Sequence, residues 1–200
     1  MTILLYVEGE TEKYLPAFFK RWLDPKLKAP VRIEPINLAG VANYLKDIQR
    51  RANLGLAQPH VMGGVGLIDL YGSGLPYPDG RVEEKYQWAR THVESRVRNA
   101  RFRQHFAMHE TEAWLFSEPR IFPRKIRDGI PDSPPETVNL NNPPSRRLGN
   151  LYRTRLDRKY TKPLEGAKLF RALDPDIACE RCPHLALLFQ DLLDLARPDN

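Results

Sequence analysis

Four carboxylates stand where short apolar runs end. Glu8 directly follows Ile3 to Val7, Asp69 closes the apolar, glycine-rich stretch Val61 to Leu70, and Glu110 and Glu112 follow Phe102 to Met108. Hard oxygen donors of this kind suit Mg²⁺ or Mn²⁺, which takes one or two carboxylates plus water and substrate phosphates. An ion held that way polarises a phosphodiester and generates hydroxide. The candidate catalytic and metal-binding set is therefore Glu8, Asp69 and Glu110. Glu10 and Glu12 read equally as first-turn acids at a helix N-terminus, worth about 0.3–1 kcal/mol each, and Asp69 could be a turn-forming aspartate. Glu110 and Glu112 are two residues apart, about 200° on a helix, so only one can face the site. Glu110 comes directly off the strand and is the better candidate, which leaves Glu112 on the surface or in support. His109 reads as a ligand or general base, or as a structural hydrogen bonder.

Phosphodiester chemistry also needs cations. Arg146 and Arg147 open a helix that Ser145 would cap, combining side-chain charge with free backbone N–H groups at a helix start. Lys159, Lys162 and Lys168 could extend that track, although Lys162 and Lys168 read rather as part of a solvated basic face. The chain carries 31 Lys and Arg against 25 Asp and Glu, a net charge of +6, with a pI of about 9.4. That balance favours polyanionic partners such as DNA or RNA.

These residues must be positioned by strands and helices that alternate. Ile3 to Val7 reads as a strand, followed by Gly9 and a helix with Leu15, Phe18, Phe19, Trp22 and Leu23 on one face. Val31 to Leu38 reads as a strand, Val41 to Ala52 as a helix, Val61 to Leu70 as a buried strand and Tyr71 to Gly80 as a loop. Arg81 to Val97 is helical, Phe102 to Met108 a strand, and Glu110 to Phe116 a helix. The pattern predicts an α/β fold with a mostly parallel sheet flanked by helices, because parallel strands need helical crossovers. Ligands of such sheets sit beyond the carboxyl ends of the strands, where these acids fall. After residues 1–118, residues 119–200 form a proline-rich loop and a helical appendage with helices from Ser145, Pro163 to Leu173 and Pro183 to Ala196. We expect them to pack on the core within a single domain.

At 200 residues and 42% hydrophobic composition the chain can build a core, and no apolar stretch approaches the roughly 20 residues of a membrane helix. Neither a membrane span nor a signal peptide is expected. Cys179 and Cys182 form a lone Cys-x-x-Cys with only His184 nearby, too little for a zinc site or a disulfide framework, which fits a reducing cytoplasm. We read them as two thiols in a turn before the last helix.

Val7-Glu8-Gly9-Glu10-Thr11-Glu12 resembles the first signature of Toprim domains, and Gly66-Leu67-Ile68-Asp69-Leu70-Tyr71-Gly72 resembles the second. Such domains occur in primases, type II topoisomerases and nucleases of the overcoming-lysogenization-defect type. His109 to Phe116, Pro144 to Leu148 and Cys182 to Leu185 further resemble a prokaryotic Toprim-like family, the domain of unknown function numbered 4276. The resemblance implies a Toprim-like fold and a Mg²⁺-dependent nuclease or phosphotransfer enzyme, with Glu8 as the first-motif acid and Asp69 as the first aspartate of an Asp-x-Asp pair. Tyr71 stands where the second aspartate would be, unless Glu110 or Asp79 replaces it. Tyr71 could hydrogen-bond a phosphate or cover the loop. The alternative function is a non-catalytic nucleic-acid-binding module partnering an ATPase in phage defence or repair, with self-association as a further candidate. A phosphohydrolase of small phosphoesters would not require the arginines.

Overall fold

The computed structural model describes residues 1–9, 11–137 and 141–197, without the side chains of Thr11 and Glu12. Glu12, a candidate site residue, thus lies outside the described side chains. The first half of the chain runs β1 (Thr2–Val7), α1 (Leu15–Leu23), β2 (Arg32–Asn37), α2 (Val41–Leu56), β3 (Val61–Asp69), α3 (Val82–Val97) and β4 (Phe102–Ala107). The second half holds a 3-10 helix (Thr111–Ser117), then α4 (Arg124–Arg127), α5 (Pro144–Leu156), a π-helical turn (Lys162–Gly166), α6 (Ala167–Ala172), α7 (Pro175–Arg181) and α8 (Pro183–Ala196).

The four strands form one parallel sheet in the order β2-β1-β3-β4, as the alternation of elements predicts. β1 is buried along its whole length, which explains why it reads as a continuous apolar run. Its side chains still divide by period two. Ile3, Leu5 and Val7 join an apolar cluster with Phe18, Phe19, Val65, Leu188 and Phe189, so α1 and α8 cover that face. Leu4 and Tyr6 join Ile48, Tyr86, Val93, Phe102 and Phe106 on the other face, under α2 and α3. Leu148 and Tyr152 of α5, Leu169 and Phe170 of α6 and Ala178 of α7 belong to the same cluster as α1 and α8. Gly66 in β3 is required by a close approach: a Cβ there would collide with Tyr44 Oη and Gln104 Oε1, which hydrogen-bond each other at 2.7 Å.

From β1 the chain crosses to β2 on one side, then returns past β1 to β3 on the other. This reversal opens a crevice between the carboxyl ends of β1 and β3, the usual ligand position in open α/β sheets.

The second half departs from the sequence reading in three places. Glu110 to Phe116 is not an α-helix; Glu110 is extended, and Thr111–Ser117 is a fully buried 3-10 helix. The predicted helix from Pro163 opens as the π-helical turn. Cys179 lies within α7, and Cys182 is buried at the α7–α8 junction, where burial pushes its thiol pKa up. The missed start of α7 was in the sequence: Asp174 Oδ1 accepts the Asp176 N–H at 2.9 Å with Pro175 at the first helical position. Among the described residues no helix is long and apolar enough to cross a membrane.

Candidate active site

β1 ends one residue before Glu8 and β3 ends on Asp69, so the acids flank the crevice. The loop after β2 returns to this point, where the Gly40 N–H donates to the Glu8 carbonyl at 2.6 Å. Gly40 has φ 103°, a conformation that needs glycine, and it opens α2. Beyond Asp69 the chain turns through Gly72 (φ 103°) and Gly74 (φ 68°). Ser73 Oγ donates to the Leu70 carbonyl at 2.8 Å and fixes this turn.

Asp69 is the most perturbed acid of the group. Burial raises its pKa well above the ordinary carboxylate range, and the charges of Glu8, Glu112 and Glu110 raise it further, with Lys162 opposing them. Four acids from three separate stretches of the chain and one lysine therefore share one electrostatic neighbourhood. Among the described residues the Asp69 carboxylate accepts no hydrogen bond.

The two acids after β4 exchange the places expected of them. Glu112 is fully buried, with Lys162 Nζ 3.0 Å from its Oε2. Among the described residues no donor meets its oxygens in full hydrogen-bonding geometry. Burial raises its pKa, Lys162 opposes that, and Glu110 adds to it. For Lys162 burial alone would lower the pKa, but Glu112 and Glu110 outweigh it, and the net shift is upward. Glu110 instead turns to α5, where its carboxylate accepts the Ser145 N–H at 2.6 Å and the Ser145 hydroxyl at 2.8 Å. Extended backbone at Glu110 separates the two side chains without any helical period.

Ser145 is thus not the cap of α5. The residue before the helix is Pro143, which has no side chain to offer, and Glu110 takes over from 35 residues away. This corrects the anion site expected at the start of α5: the Ser145 N–H is occupied, and the Arg147 N–H donates to Pro143 at 2.9 Å. Arg147 also departs from the expected phosphate contact. Its guanidinium donates to the Gly129 carbonyl at 3.1 and 3.2 Å and ties α5 to the end of α4. Arg146 is exposed.

Tyr71 is half-buried, with its ring 6.3 Å from Tyr77 and 6.1 Å from His109, and burial followed by Tyr77 raises its pKa. Asp79 is exposed and is not among the charges that bear on Asp69, so it does not fill the place of a second aspartate. Lys162 is the functional candidate that sequence reading assigned to a solvated face. Its partner lies 50 residues earlier in the chain, and no local pattern marks the pair.

Among the described residues no three His, Cys, Asp or Glu side chains form a group arranged to hold one ion. The donors fit a looser arrangement. Burial and the Glu8 charge both disfavour ionisation of Asp69, among the described residues its carboxylate accepts no hydrogen bond, and a divalent cation needs only one or two such carboxylates when water and phosphate complete its shell.

No curated protein matches the chain. One similar solved structure is the C-terminal region of the OLD protein of Xanthomonas campestris pv. campestris, at 14% identity and a TM-score of 0.47, covering 97% of this chain and 95% of that one. The family model described as "Domain of unknown function (DUF4276)" matches residues 7–193, from the residue before Glu8 through most of α8, and the chain belongs to that family.

Proposed function

We propose that the protein is a Mg²⁺- or Mn²⁺-dependent phosphodiester hydrolase of Toprim type that acts on nucleic acid. The observation that carries this reading is Asp69, a desolvated carboxylate that accepts no hydrogen bond among the described residues, placed with Glu8 at the sheet's switch point and raised by the surrounding acids. Glu8 and Asp69 would hold the ion, which when bound supplies a polarised phosphate and a water of lowered pKa. Lys162, fixed by buried Glu112, presents a charged ammonium towards Asp69 and can balance negative charge that develops on a phosphate. Glu110 holds α5 in place through Ser145 and acts as a positioning residue.

A second reading, a nucleic-acid-binding partner of an ATPase without catalysis, is favoured by Tyr71 at the position of the second Toprim aspartate and by the commitment of Glu110 to α5. Roles in phage defence or repair belong to either reading. The deciding experiment incubates wild type and Glu8→Gln with labelled single- and double-stranded DNA and RNA across Mg²⁺ and Mn²⁺ titrations. Metal-dependent cleavage that Glu8→Gln abolishes while binding persists supports the hydrolase. Binding without cleavage by wild type in every arm selects the partner module.

A further inference from the structure

α5 presents Arg146, Asn150, Arg153 and Asp157 at intervals of four, three and four, so they share one face of the helix. The helix ends on Asp157 in the left-handed conformation (φ 51°), which turns the chain back. Arg158 and Lys159 are thereby brought to the same side. Together these residues line a cavity of about 530 Å³. Four cations face one acid, Asp157. All four are exposed, and among the described residues neither Arg146 nor Lys159 has an anionic partner. Arg158 is steadied over the Tyr152 ring at 5.3 Å and lies 3.6 Å from Glu165.

The wall of the cavity is Tyr160, which is 7% exposed. Its hydroxyl is buried and has no hydrogen-bond partner among the described residues. Two residues further on, Lys162 Nζ lies 3.0 Å from Glu112 Oε2, so the chain that walls the cavity runs directly to the buried ion pair. The concave cationic surface therefore adjoins, along the chain, the Lys162–Glu112 pair whose charges bear on Asp69.

We propose that this cavity binds the phosphates of the nucleic-acid strand whose scissile bond lies at Asp69 and Glu8. The inference rests on the hydrolase reading and extends it to a substrate subsite. Polyanion recognition by several arginines at one concave surface supplies affinity without reading sequence. Carboxylates at the strand ends repel a phosphodiester, and a neighbouring cationic surface offsets that repulsion while fixing the strand's direction.

The test measures binding of a fluorescent oligonucleotide, single-stranded and duplex, across salt concentration for wild type, Arg153→Ala/Lys159→Ala and the control Lys28→Ala/Arg32→Ala. The control residues are exposed at the opposite end of the sheet. Loss of two phosphate contacts should lower the salt slope by about 1.4 on single strands or about 1.8 on duplex, so that wild type loses about sevenfold more single-strand affinity than the variant between 50 and 200 mM salt. The control should keep the wild-type slope. Equal slopes in the pair variant and wild type, or an equal drop in pair variant and control, overturn the subsite. Inorganic phosphate or a mononucleotide binding as tightly as the oligonucleotide overturns the strand as ligand. The failures are separable. Cleavage that depends on Glu8 with an unaltered slope in the pair variant removes only the cavity, whereas a lowered slope without cleavage removes only the hydrolase.

Discussion

Asp69→Asn keeps the shape of the side chain and removes its charge, and it should stabilise the protein while abolishing metal-dependent turnover. Among the described residues the carboxylate accepts no hydrogen bond, and burial and neighbouring acids both disfavour its ionised form. An unpaired desolvated polar group costs about 1–3 kcal/mol. Asp69 keeps some exposure, which screens its charge and places the expected gain at about 1–2 kcal/mol. At about 2–4 °C per kcal/mol for a chain of this size, Tm should rise by about 2–8 °C near neutral pH. The sign with pH is fixed by linkage. A raised carboxyl pKa means that above its ordinary value of 3.8 the folded state binds more protons than the unfolded chain. Wild-type stability is therefore lost as pH rises from that value through the folded pKa, and the gain in the asparagine variant vanishes at lower pH. Mg²⁺ should act the opposite way on the two proteins. At 100 times its Kd a ligand adds about 2.7 kcal/mol to the protein that binds it, and the variant should lose most of that increment. Calorimetry from about pH 4 to about pH 8, with and without Mg²⁺, reads both effects. A metal-free variant less stable than wild type, or one that Mg²⁺ stabilises equally, refutes the reasoning.

Lys162→Met strands Glu112 in the interior; breaking a buried pair costs about 3–5 kcal/mol, reduced to about 2–3 because the lysine side chain is 31% exposed. Urea unfolding should show Glu112→Gln recovering most of that loss in the double variant, and no recovery would deny the ion pair an energetic role. Glu110→Ala should cost about 1 kcal/mol through loss of the α5 cap and speed amide exchange at Ser145; unchanged exchange there counts against capping. His184 sits 3.0 Å from both Glu136 and Glu83. Burial lowers its pKa, but the two glutamates raise it above the ordinary 6.5 overall. Its contribution is complete below that value and lost as pH rises through the folded pKa, so Tm against pH should decline less above it in His184→Asn, and parallel profiles would exclude the histidine.

The parallel sheet was legible because its two central strands, β1 and β3, are buried on both faces and read as apolar runs between helical periods, whereas the edge strand β2 shows only a loose alternation. Boundaries failed where tertiary contacts override local preference. Thr111–Ser117 is apolar enough for an α-helix, yet its seven residues are all buried in a 3-10 helix that runs directly from the extended Glu110. Asp174-Pro175 is a readable start signal for α7, a capping aspartate followed by proline at the first helical position.

The site was legible only where chemistry coincides with strand ends. Glu8 and Asp69 are visible from spacing, because any parallel sheet brings consecutive carboxyl ends to one rim. Roles set by residues far along the chain are not visible that way. Glu110 and Glu112 were separable only by their partners, Ser145 and Lys162, which arrive from the second half. One signal was nonetheless present. α5 and α8 both open on proline, and the residues before them, Pro143 and Cys182, provide no side-chain cap. Both starts are closed by distant glutamates: Glu110 for α5, and for α8 Glu136, which accepts the His184 N–H at 2.8 Å and the Leu185 N–H at 3.2 Å. Exposed N–H groups at a buried helix start must find an acceptor. A helix that begins on proline at a buried start without a local cap therefore points to a carboxylate elsewhere in the sequence, and that carboxylate should be set aside before acids are assigned to a metal.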